Sequence, residues 1–384
     1  MFARPLTRIA ALAGALLLAA CGTVSREAFD PIDQRIGAPA GLSDVRYSAA
    51  DANAAMSKST IIKERRERPG DFNVLALSGG GANGAYGAGV LAGWTAAGKR
   101  PQFDVVTGVS TGALTAPFAF LGSQWDDRLK AAYTDGGTEG MISFKAITVF
   151  KGPSFFSAAP VRHLVETYVT PEMLKAIAAE HAKGRRLLVA TTNLDTQETA
   201  IWDMGAIATR AARGDNHALE LFHNVLVASA SIPGVFPPVM IEMDGPSGVF
   251  REMHVDGGVT TPFFTVPEAM MLWTDPQGAV HKGNLYVVIN GQVGSQFGVT
   301  KGNLLGILAR SYDAMSKAST RLHLAATAAF AQRNGLTMEV SEIPDEAEAQ
   351  GLNFKADNML KLFQMGYDRA AAGEAWRDPA APAS

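Results

Sequence analysis

The chain has 384 residues, of which 47% are hydrophobic and 18% charged, enough for one large globular domain or two ordinary ones. This composition excludes an intrinsically disordered chain, and a formal net charge of −3 gives no electrostatic reason to expect a nucleic-acid partner. The single cysteine excludes an intrachain disulfide.

The first twenty residues have the pattern of a targeting segment. Arg4 and Arg8 form a basic start, and the apolar stretch 9–20 is too short to span a bilayer comfortably. The small residues before Cys21 resemble a bacterial lipobox, so we expect the preceding segment to be removed and Cys21 to be lipidated, which anchors the protein to a membrane. By the same resemblance, Gly22 in place of aspartate favours the outer membrane of the cell envelope. The alternative is an ordinary secretory signal with an incidental cysteine.

Residues 21–70 are polar and predict a tether, with a possible short helix over 50–67. From residue 72 onward, buried strands alternate with helices, which is typical of an α/β layer fold. Strands are predicted at 73–77, 103–107, 187–192, 249–255, 285–289 and 336–340. Helices are predicted at 85–97, 111–121, 217–229, 303–333 and 354–376.

A glycine-rich segment, 79–84, follows the first of these strands and opens a helix. Consecutive glycines let backbone N–H groups converge on one point, and the helix N-terminus adds partial positive charge. Such a nest holds either a phosphate or the oxyanion of an acyl transfer reaction. The spacing also matches a dinucleotide fingerprint, but no Gly-Lys-Ser/Thr follows, so it is not a Walker loop.

Ser110 follows the second strand within the sequence Gly-Val-Ser-Thr-Gly. A serine at a strand end, with Gly108 and Gly112 two positions to either side, predicts a sharp strand-to-helix turn that exposes the hydroxyl. Asp256 ends a later strand and is followed by Gly257 and Gly258. Alone, such an aspartate is often only a turn former, but beside a glycine nest and a serine elbow it becomes a candidate base.

These three motifs, together with the run 228–238, resemble the patatin-like phospholipase family over residues 72–270. The resemblance implies a three-layer α/β/α domain with a mostly parallel central sheet, and a Ser–Asp dyad that hydrolyses acyl esters of lipids. It further implies a catalytic core over 71–295, a helical part over 296–377 packed on that core, and a tail over 378–384. In this assignment Ser110 is the nucleophile and Asp256 the base.

The remaining site residues carry backbone roles by the same resemblance. Asn83 departs from the family pattern, because many relatives have a basic residue there. We expect no cofactor and no metal, and the expected partner is a lipid ester at a membrane surface. The expected oxyanion hole comprises Gly79, Gly80, Gly81, Gly84 and Thr111, and the elbow and turn glycines are Gly108, Gly112, Gly257 and Gly258.

Three alternatives remain open. A Ser–His–Asp triad would recruit His281 or His323, whereas His254 on the strand of Asp256 is expected to be a packed strand residue. A nucleotide-binding protein would use the glycine loop for pyrophosphate with Asp104 as its acid, and would leave Ser110 unexplained. The third alternative is a non-catalytic lipoprotein that keeps the fold as a binding surface for lipids.

Two apolar patches are candidates for an acyl-chain pocket or a membrane contact. The first includes Phe150, Phe155 and Phe156, and the second covers 263–264 and 270–273. Plain core packing is the expected role for most of these side chains.

Overall fold

The structure is a computed structural model that describes residues 26–51, 71–136, 154, 156–274 and 283–379. The expected signal segment, Cys21, residues 52–70 of the tether and nearly all of the helix over 50–67 lie outside the described residues, as do Phe150, Phe155 and His281. Their predictions therefore stay predictions.

The described chain forms an α/β protein with helices on both faces of a central sheet. The strands are β1 (Arg46–Ser48), β2 (Phe72–Leu77), β3 (Val105–Val109), β4 (Arg186–Asn193), β5 (Glu198–Asp203), β6 (Val239–Gly245), β7 (Gly248–Asp256), β8 (Gly283–Ile289) and β9 (Thr337–Glu342). The helices are α1 (Pro31–Ile36), α2 (Gly84–Ala96), α3 (Thr111–Leu121), α4 (Asp126–Thr134), α5 (Ala159–Tyr168), α6 (Pro171–Ala182), α7 (Met204–Ala211), α8 (Asn216–Ser229), α9 (Leu304–Arg333) and α10 (Ala356–Ala372).

Within the described residues, all the strands and helices predicted over 73–376 are present, with ends shifted by a few residues. The predictions did not include β1, β5, β6, α1 or the helices from α4 to α7. Some of these elements are short, and β1 has only three residues, so their hydrophobic periods are weak.

The sheet has the strand order β1-β5-β4-β3-β2-β8-β9, and the five strands from β4 to β9 in this order run parallel. The expected mostly parallel sheet is therefore confirmed. Strands β6 and β7 form an antiparallel hairpin that is not part of this strand order. The hairpin joins the sheet where the end of β7 pairs antiparallel with the end of β4. In this register Asp256 lies opposite Thr191, beside the carboxyl end of β3. The carboxyl edge of parallel strands is where α/β proteins usually bind ligands.

Each face of the sheet buries its own apolar layer, because successive strand residues point to opposite sides. On one face, Leu75 and Val106 pack in a large cluster with most of the helices. On the other, Val74 and Val105 pack with Phe263 and the second half of α9. The two clusters give the three-layer arrangement expected from the family resemblance.

Helix α10 crosses α2 at very short range. A Cβ atom built at Gly89 of α2 would lie 1.9 Å from the carbonyl oxygen of Phe363 in α10, so only glycine permits this approach. The contact fixes α10 over the helix that follows the glycine-rich segment. As a result, the loop that precedes α10 lies directly against that segment.

No helix in the described part of the chain is both long and apolar enough to cross a bilayer.

Candidate active site

Ser110 occupies a strained turn between β3 and α3. Its φ is 56° and its ψ −126°, a conformation that residues with a Cβ rarely adopt. Gly108 and Gly112 make the turn possible: a Cβ built at Gly108 would lie 2.6 Å from the Cα of Ala113, and one built at Gly112 would lie 2.3 Å from the carbonyl oxygen of Leu77. The predicted elbow is present, and strain of this kind is typical of a functional residue held in place by its surroundings.

A buried serine from α8 holds the backbone of the elbow. The Ser110 N–H donates to Ser229 Oγ at 2.9 Å, and the Ser229 hydroxyl donates to the carbonyl oxygen of Ala190 at 2.7 Å. Ser229 therefore links the elbow to β4. Ser229 lies within the run 228–238. Its role could not be predicted from the sequence, because its bond partners are far away in the chain.

Asp256 lies against the elbow hydroxyl. Ser110 Oγ donates to Asp256 Oδ2 at 2.6 Å, and the Gly258 N–H donates to Asp256 Oδ1 at 2.7 Å. The Asp256 N–H donates to the carbonyl oxygen of Ser231 at 2.9 Å, which ties the end of β7 to the residues after α8. Both carboxylate oxygens thus have partners, and the carboxylate is held in one orientation.

The surroundings of Asp256 suit a base that works near neutral pH. The residue is 2% exposed, and this burial raises the pKa of Asp256 from 3.8 to about 7. Hydrogen bonds from Ser110 and Gly258 stabilise the carboxylate and partly oppose the rise. A free aspartate would be a far weaker base for a serine hydroxyl.

The glycines of this region have separate structural tasks. A Cβ built at Gly257 would lie 2.5 Å from the carbonyl oxygen of Ala190, so this glycine allows the end of β7 to pack on β4. Gly258 supplies the N–H that orients Asp256. Both turn glycines therefore lie beside Asp256, as their spacing predicts.

Two amides of the glycine-rich segment are available for a ligand. Gly80 has a φ of +156° and Gly81 a φ of +58°, and neither N–H has a hydrogen-bond acceptor among the described residues. A Cβ built at Gly80 would lie 2.0 Å from the carbonyl oxygen of Asn290, which follows β8. Asn290 in turn bonds the segment, since its Nδ2 donates to the carbonyl oxygen of Ser78 at 2.8 Å. The segment is rigid, which suits a preorganised oxyanion hole.

Two of the expected oxyanion-hole residues need correction as donors. The Gly79 N–H donates to the carbonyl oxygen of Pro262 at 3.2 Å, and the Gly84 N–H donates within its own helical turn, to Ala82 and Gly81. Their amide hydrogens are therefore already used. Gly84 is needed for close packing instead, because a Cβ there would lie 2.0 Å from Thr111 Oγ1.

Thr111 begins α3, so its N–H belongs to the first turn, where helical amides lack an internal partner. Its side chain is tied down by a buried tyrosine: Thr111 Oγ1 lies 2.9 Å from the Tyr133 hydroxyl, which also lies 2.7 Å from Thr115 Oγ1. This arrangement leaves the Thr111 N–H as a third candidate donor. No motif in the sequence predicted a role for Tyr133, which comes from α4.

Asn83, the expected departure from the family pattern, lies in the turn that precedes α2. It is buried, and its Oδ1 has no hydrogen-bond partner in the described part of the chain. An unpaired buried amide oxygen is unusual and provides an acceptor, not a cation, at the edge of the glycine-rich segment.

A narrow apolar cavity of about 40 Å³ adjoins Ser110. Such a volume is far below the roughly 300–1,000 Å³ of ordinary ligand pockets, so an acyl chain would enter only after side chains move. Its walls come from α3 to α5, the segment after α8, and the C-terminal part of the chain: Gly81, Ser110, Thr111, Leu114, Ala132, Tyr133, Val161, Leu164, Ala230, Ile232, Phe236, Phe354 and Met359. A larger cavity, near Arg26 and Asp195, shares no lining residue with it.

The C-terminal part of the chain also covers the glycine-rich segment. The Ala82 N–H donates to the carbonyl oxygen of Gly351 at 2.8 Å, and Phe354 and Met359 line the cavity. None of these contacts was foreseen from the sequence, because the loop before α10 carries no motif.

The second apolar patch is mostly core. Phe263, Phe264 and Met270 are buried and do not line the cavity, whereas Leu272 is exposed. In the first patch, Phe156 is partly buried and packs against the main core cluster.

No histidine in the described ranges bonds to Ser110 or Asp256. His254 is fully buried and uses both ring nitrogens elsewhere, with Thr191 Oγ1 at 2.9 Å and Glu252 Oε2 at 3.1 Å, so it is the packed strand residue that we expected. His323 Nδ1 lies 2.9 Å from the carbonyl oxygen of Ser319, one turn earlier in its own helix. A triad through His323 is therefore not formed.

The structure also opposes the nucleotide-binding alternative. Asp104 Oδ2 accepts the N–H of Asn73 at 2.9 Å, so it joins the starts of β2 and β3. The glycine-rich segment follows the opposite end of β2. An acid for a ribose hydroxyl would be needed at that opposite end.

The fold and this site define an α/β enzyme of the hydrolase type. A family model described as patatin-like phospholipase matches residues 75–267, and the chain belongs to the patatin-like phospholipase family. Membership places the chain among ester-hydrolysing enzymes that act on lipids.

Two solved structures are similar to the chain at low identity. VipD from Legionella pneumophila is 12% identical with a TM-score of 0.33, over 80% of this chain and 67% of VipD. The type III effector protein ExoU is 15% identical with a TM-score of 0.25, over 79% of this chain and 53% of ExoU. No curated protein sequence matches the chain.

Proposed function

We propose that the protein is a lipid acyl hydrolase of the phospholipase A or lysophospholipase type that works through a Ser110–Asp256 dyad. The observation that carries the proposal is the hydrogen bond of 2.6 Å from Ser110 Oγ to a buried carboxylate whose pKa is raised to about 7. A nucleophile in contact with a base of this strength is the arrangement that covalent acyl transfer requires.

In the first half of the reaction, Asp256 takes the proton of Ser110 as Ser110 Oγ attacks the ester carbonyl carbon. The negative charge that develops on the carbonyl oxygen is stabilised by the N–H groups of Gly80, Gly81 and Thr111. When the tetrahedral intermediate collapses, the protonated Asp256 gives its proton to the departing alcohol. Ser110 then carries the acyl group.

In the second half, Asp256 removes a proton from water, and the hydroxide attacks the acyl carbon. The second tetrahedral intermediate expels the Ser110 oxygen, which recovers its proton from Asp256. The fatty acid leaves, and both residues return to their starting states. The apolar cavity beside Ser110 is the place where the acyl chain would extend once Phe354 and its neighbours move apart.

The direct test uses a fluorophosphonate probe and a soluble short-chain ester. We expect covalent labelling of the parent protein at Ser110 and none of Ser110→Ala. We also expect Asp256→Asn, which is close in shape, to lose at least about 10²-fold in kcat. Ester hydrolysis by Ser110→Ala at the parental rate would overturn the proposal.

Substitution of histidines separates the dyad from a triad. We expect His281→Ala and His323→Ala to keep kcat/KM within about twofold of the parent protein, because neither is needed to accept the Ser110 proton. Collapse of activity in either variant, with the protein still folded, would establish a triad instead.

Cellular location forms a separate part of the proposal. We infer that Cys21 is lipidated and holds the protein in the cell envelope, at the outer membrane. The support is the sequence alone, namely the short apolar stretch and the small residues before this cysteine. Incorporation of labelled palmitate into the parent protein and its absence in Cys21→Ala would test it.

A further inference from the structure

The first half of α9 is largely exposed on the surface of the protein. From residue 293 to residue 319, no side chain that the structure describes is buried, and the first buried residue of the helix is Thr320. Beyond it, Leu324 and Phe330 pack on the sheet. The anchored second half therefore holds the exposed first half in place.

This exposed half carries an apolar face. Leu304, Leu308 and Met315 are spaced four and seven positions apart, which places them on one side of a helix. Just before the helix, Phe297 is 100% exposed and Val299 90% exposed, while Leu304 is 72% and Met315 71% exposed. We call these five residues the α9 face. Large apolar side chains clustered in this way usually mark an interaction surface.

The charge around the α9 face is opposite in sign to that of the whole chain. Between residues 301 and 321 the basic side chains are Lys301, Arg310, Lys317 and Arg321, and the only acidic one is Asp313, a net charge of +3. The complete chain has a net charge of −3. An exposed apolar face on a helix of net positive charge is complementary to a surface that is apolar inside and negatively charged outside.

The same half of α9 reaches the catalytic dyad. A Cβ built at Gly258 would lie 4.0 Å from the Tyr312 hydroxyl, and Gly258 donates the hydrogen bond that orients Asp256. The charge of Asp256 acts together with burial to raise the pKa of Tyr312. The α9 face is therefore at the end of the sheet where the Ser110 elbow lies.

We propose that the α9 face docks on the surface of an anionic lipid bilayer and brings the Ser110–Asp256 dyad to the membrane. The apolar side chains enter the headgroup region, and the net positive charge of the helix draws it towards negatively charged headgroups. The proposal rests on the proposed function, since it names the surface through which that site meets its substrate. It is independent of Cys21, which anchors the chain far from the site in sequence.

The test places an environment-sensitive fluorophore on the α9 face of the full-length chain. Cys21→Ala and Ser110→Ala remove the native thiol and any hydrolysis, and Leu308→Cys then takes a nitrobenzoxadiazole label. The matched control is Val249→Cys in the same background, because Val249 is 63% exposed and lies on the hairpin of β6 and β7. Both proteins are mixed with vesicles of phosphatidylcholine alone, or of equal parts phosphatidylcholine and phosphatidylglycerol.

We expect a blue shift and at least about a twofold rise in emission for the Leu308 probe with the anionic vesicles, with a smaller change for phosphatidylcholine alone and none for the Val249 probe. Attachment through the N-terminal segment would bring both probes to the vesicle alike, so a difference between them reports the α9 face. An unchanged Leu308 probe, or equal changes at both positions, would overturn the proposal. A shift that grows with protein concentration without vesicles would also overturn it, in favour of a second copy of the chain.

Because both labelled proteins lack Ser110, the result does not depend on catalysis. A failed fluorophosphonate test with a shifted Leu308 probe would reject the dyad and keep the membrane surface. The reverse pair of results would keep the dyad and reject this surface.

Discussion

The hydroxyl of Ser110 lies 2.6 Å from the carboxylate of Asp256, although 146 positions separate the two residues in the chain. The contact arises because β7 turns back antiparallel to β4 and places its last residue beside the end of β3. Both residues are at most 5% exposed, so the pair is held in a largely water-free setting. Five further properties of the site follow from this arrangement and from the residues packed around it.

The rate should depend on pH through Asp256. Its pKa is raised to about 7 by burial, and it accepts the Ser110 proton only as the carboxylate. With a soluble ester, we expect kcat/KM to rise by about tenfold per unit between about pH 5 and pH 7 and to level off above. A pH profile of the purified enzyme checks this. A plateau that already extends down to pH 5 would contradict it.

The raised pKa of Asp256 should also make the free energy of unfolding depend on pH. The folded-state pKa of Asp256 is above its ordinary value of 3.8, so the folded protein holds a proton that the unfolded chain releases. The resulting stabilisation is complete below about pH 4 and is lost as the pH rises through about 7. Asp256→Asn has no such dependence. The free energy of unfolding of Asp256→Asn minus that of the parent should therefore increase by about 2–3 kcal/mol from pH 5 to pH 8.

Urea unfolding of both proteins at these two pH values measures the change. An unchanged difference between variant and parent would mean that Asp256 titrates near its ordinary pKa in the folded state. The catalytic assignment would then lose its physical basis.

Gly80→Ala should disable the oxyanion hole. The added methyl group would lie 2.0 Å from the carbonyl oxygen of Asn290, which forces the segment to move. Loss of an aligned donor typically costs about 10²–10³-fold in kcat. Gly291→Ala is the matched control, because a Cβ there meets no atom within 4 Å, and we expect it to keep the parental rate. Circular dichroism would verify that both variants fold; full activity in Gly80→Ala would exclude this segment as the hole.

Ser229→Ala should loosen the elbow. It removes the acceptor of the buried Ser110 N–H and a donor to the carbonyl oxygen of Ala190, at a cost of about 1–3 kcal/mol in the free energy of unfolding. The control is Ser231→Ala, since the buried Ser231 hydroxyl bonds only to the carbonyl oxygen of Val227 one turn earlier. Denaturation and ester hydrolysis would compare them. Equal losses in the two variants would show that Ser229 has no special role at the elbow.

Phe354→Ala should change the preferred acyl chain. Phe354 lines the narrow cavity beside Ser110, and removing its ring makes room for a longer chain. We expect kcat/KM to shift towards longer esters, by about tenfold or more for the longest tolerated chain. Leu352→Ala is the control, because Leu352 is on the same loop, is 52% exposed and does not line the cavity. A p-nitrophenyl ester series measures the shift, and an unchanged chain-length profile would place the acyl chain elsewhere.

Local motifs were the most predictable part of this protein. The sharp turn at Ser110 and the open backbone of the glycine-rich segment need glycines within a few positions, so their spacing shows in the sequence. Long strands and helices with clear periods were also predicted well. The three-residue strand β1 and the hairpin strand β6 were not, because short elements depend on partners elsewhere in the chain.

Contacts between distant segments could not be predicted. Gly79 and Gly84 were expected to donate hydrogen bonds in the oxyanion hole, and this expectation is wrong. The Gly79 N–H donates to Pro262 instead, and the Gly84 N–H donates within its own helical turn. Gly351 accepts a hydrogen bond from the glycine-rich segment, and Phe354 lines the cavity beside Ser110. Both residues belong to a loop that carries no sequence motif. Ser229 and Tyr133 became recognisable only through their hydrogen bonds.

The amino-acid order by itself determined which residue types can perform the chemistry and which local turns present them, because those turns depend on the steric limits of neighbouring residues. Only the tertiary structure decided that Ser110 and Asp256 touch, that Asp256 is basic enough, and which amides remain available. Distance, burial and hydrogen-bond competition are properties of segments brought together by folding, and no local pattern encodes them.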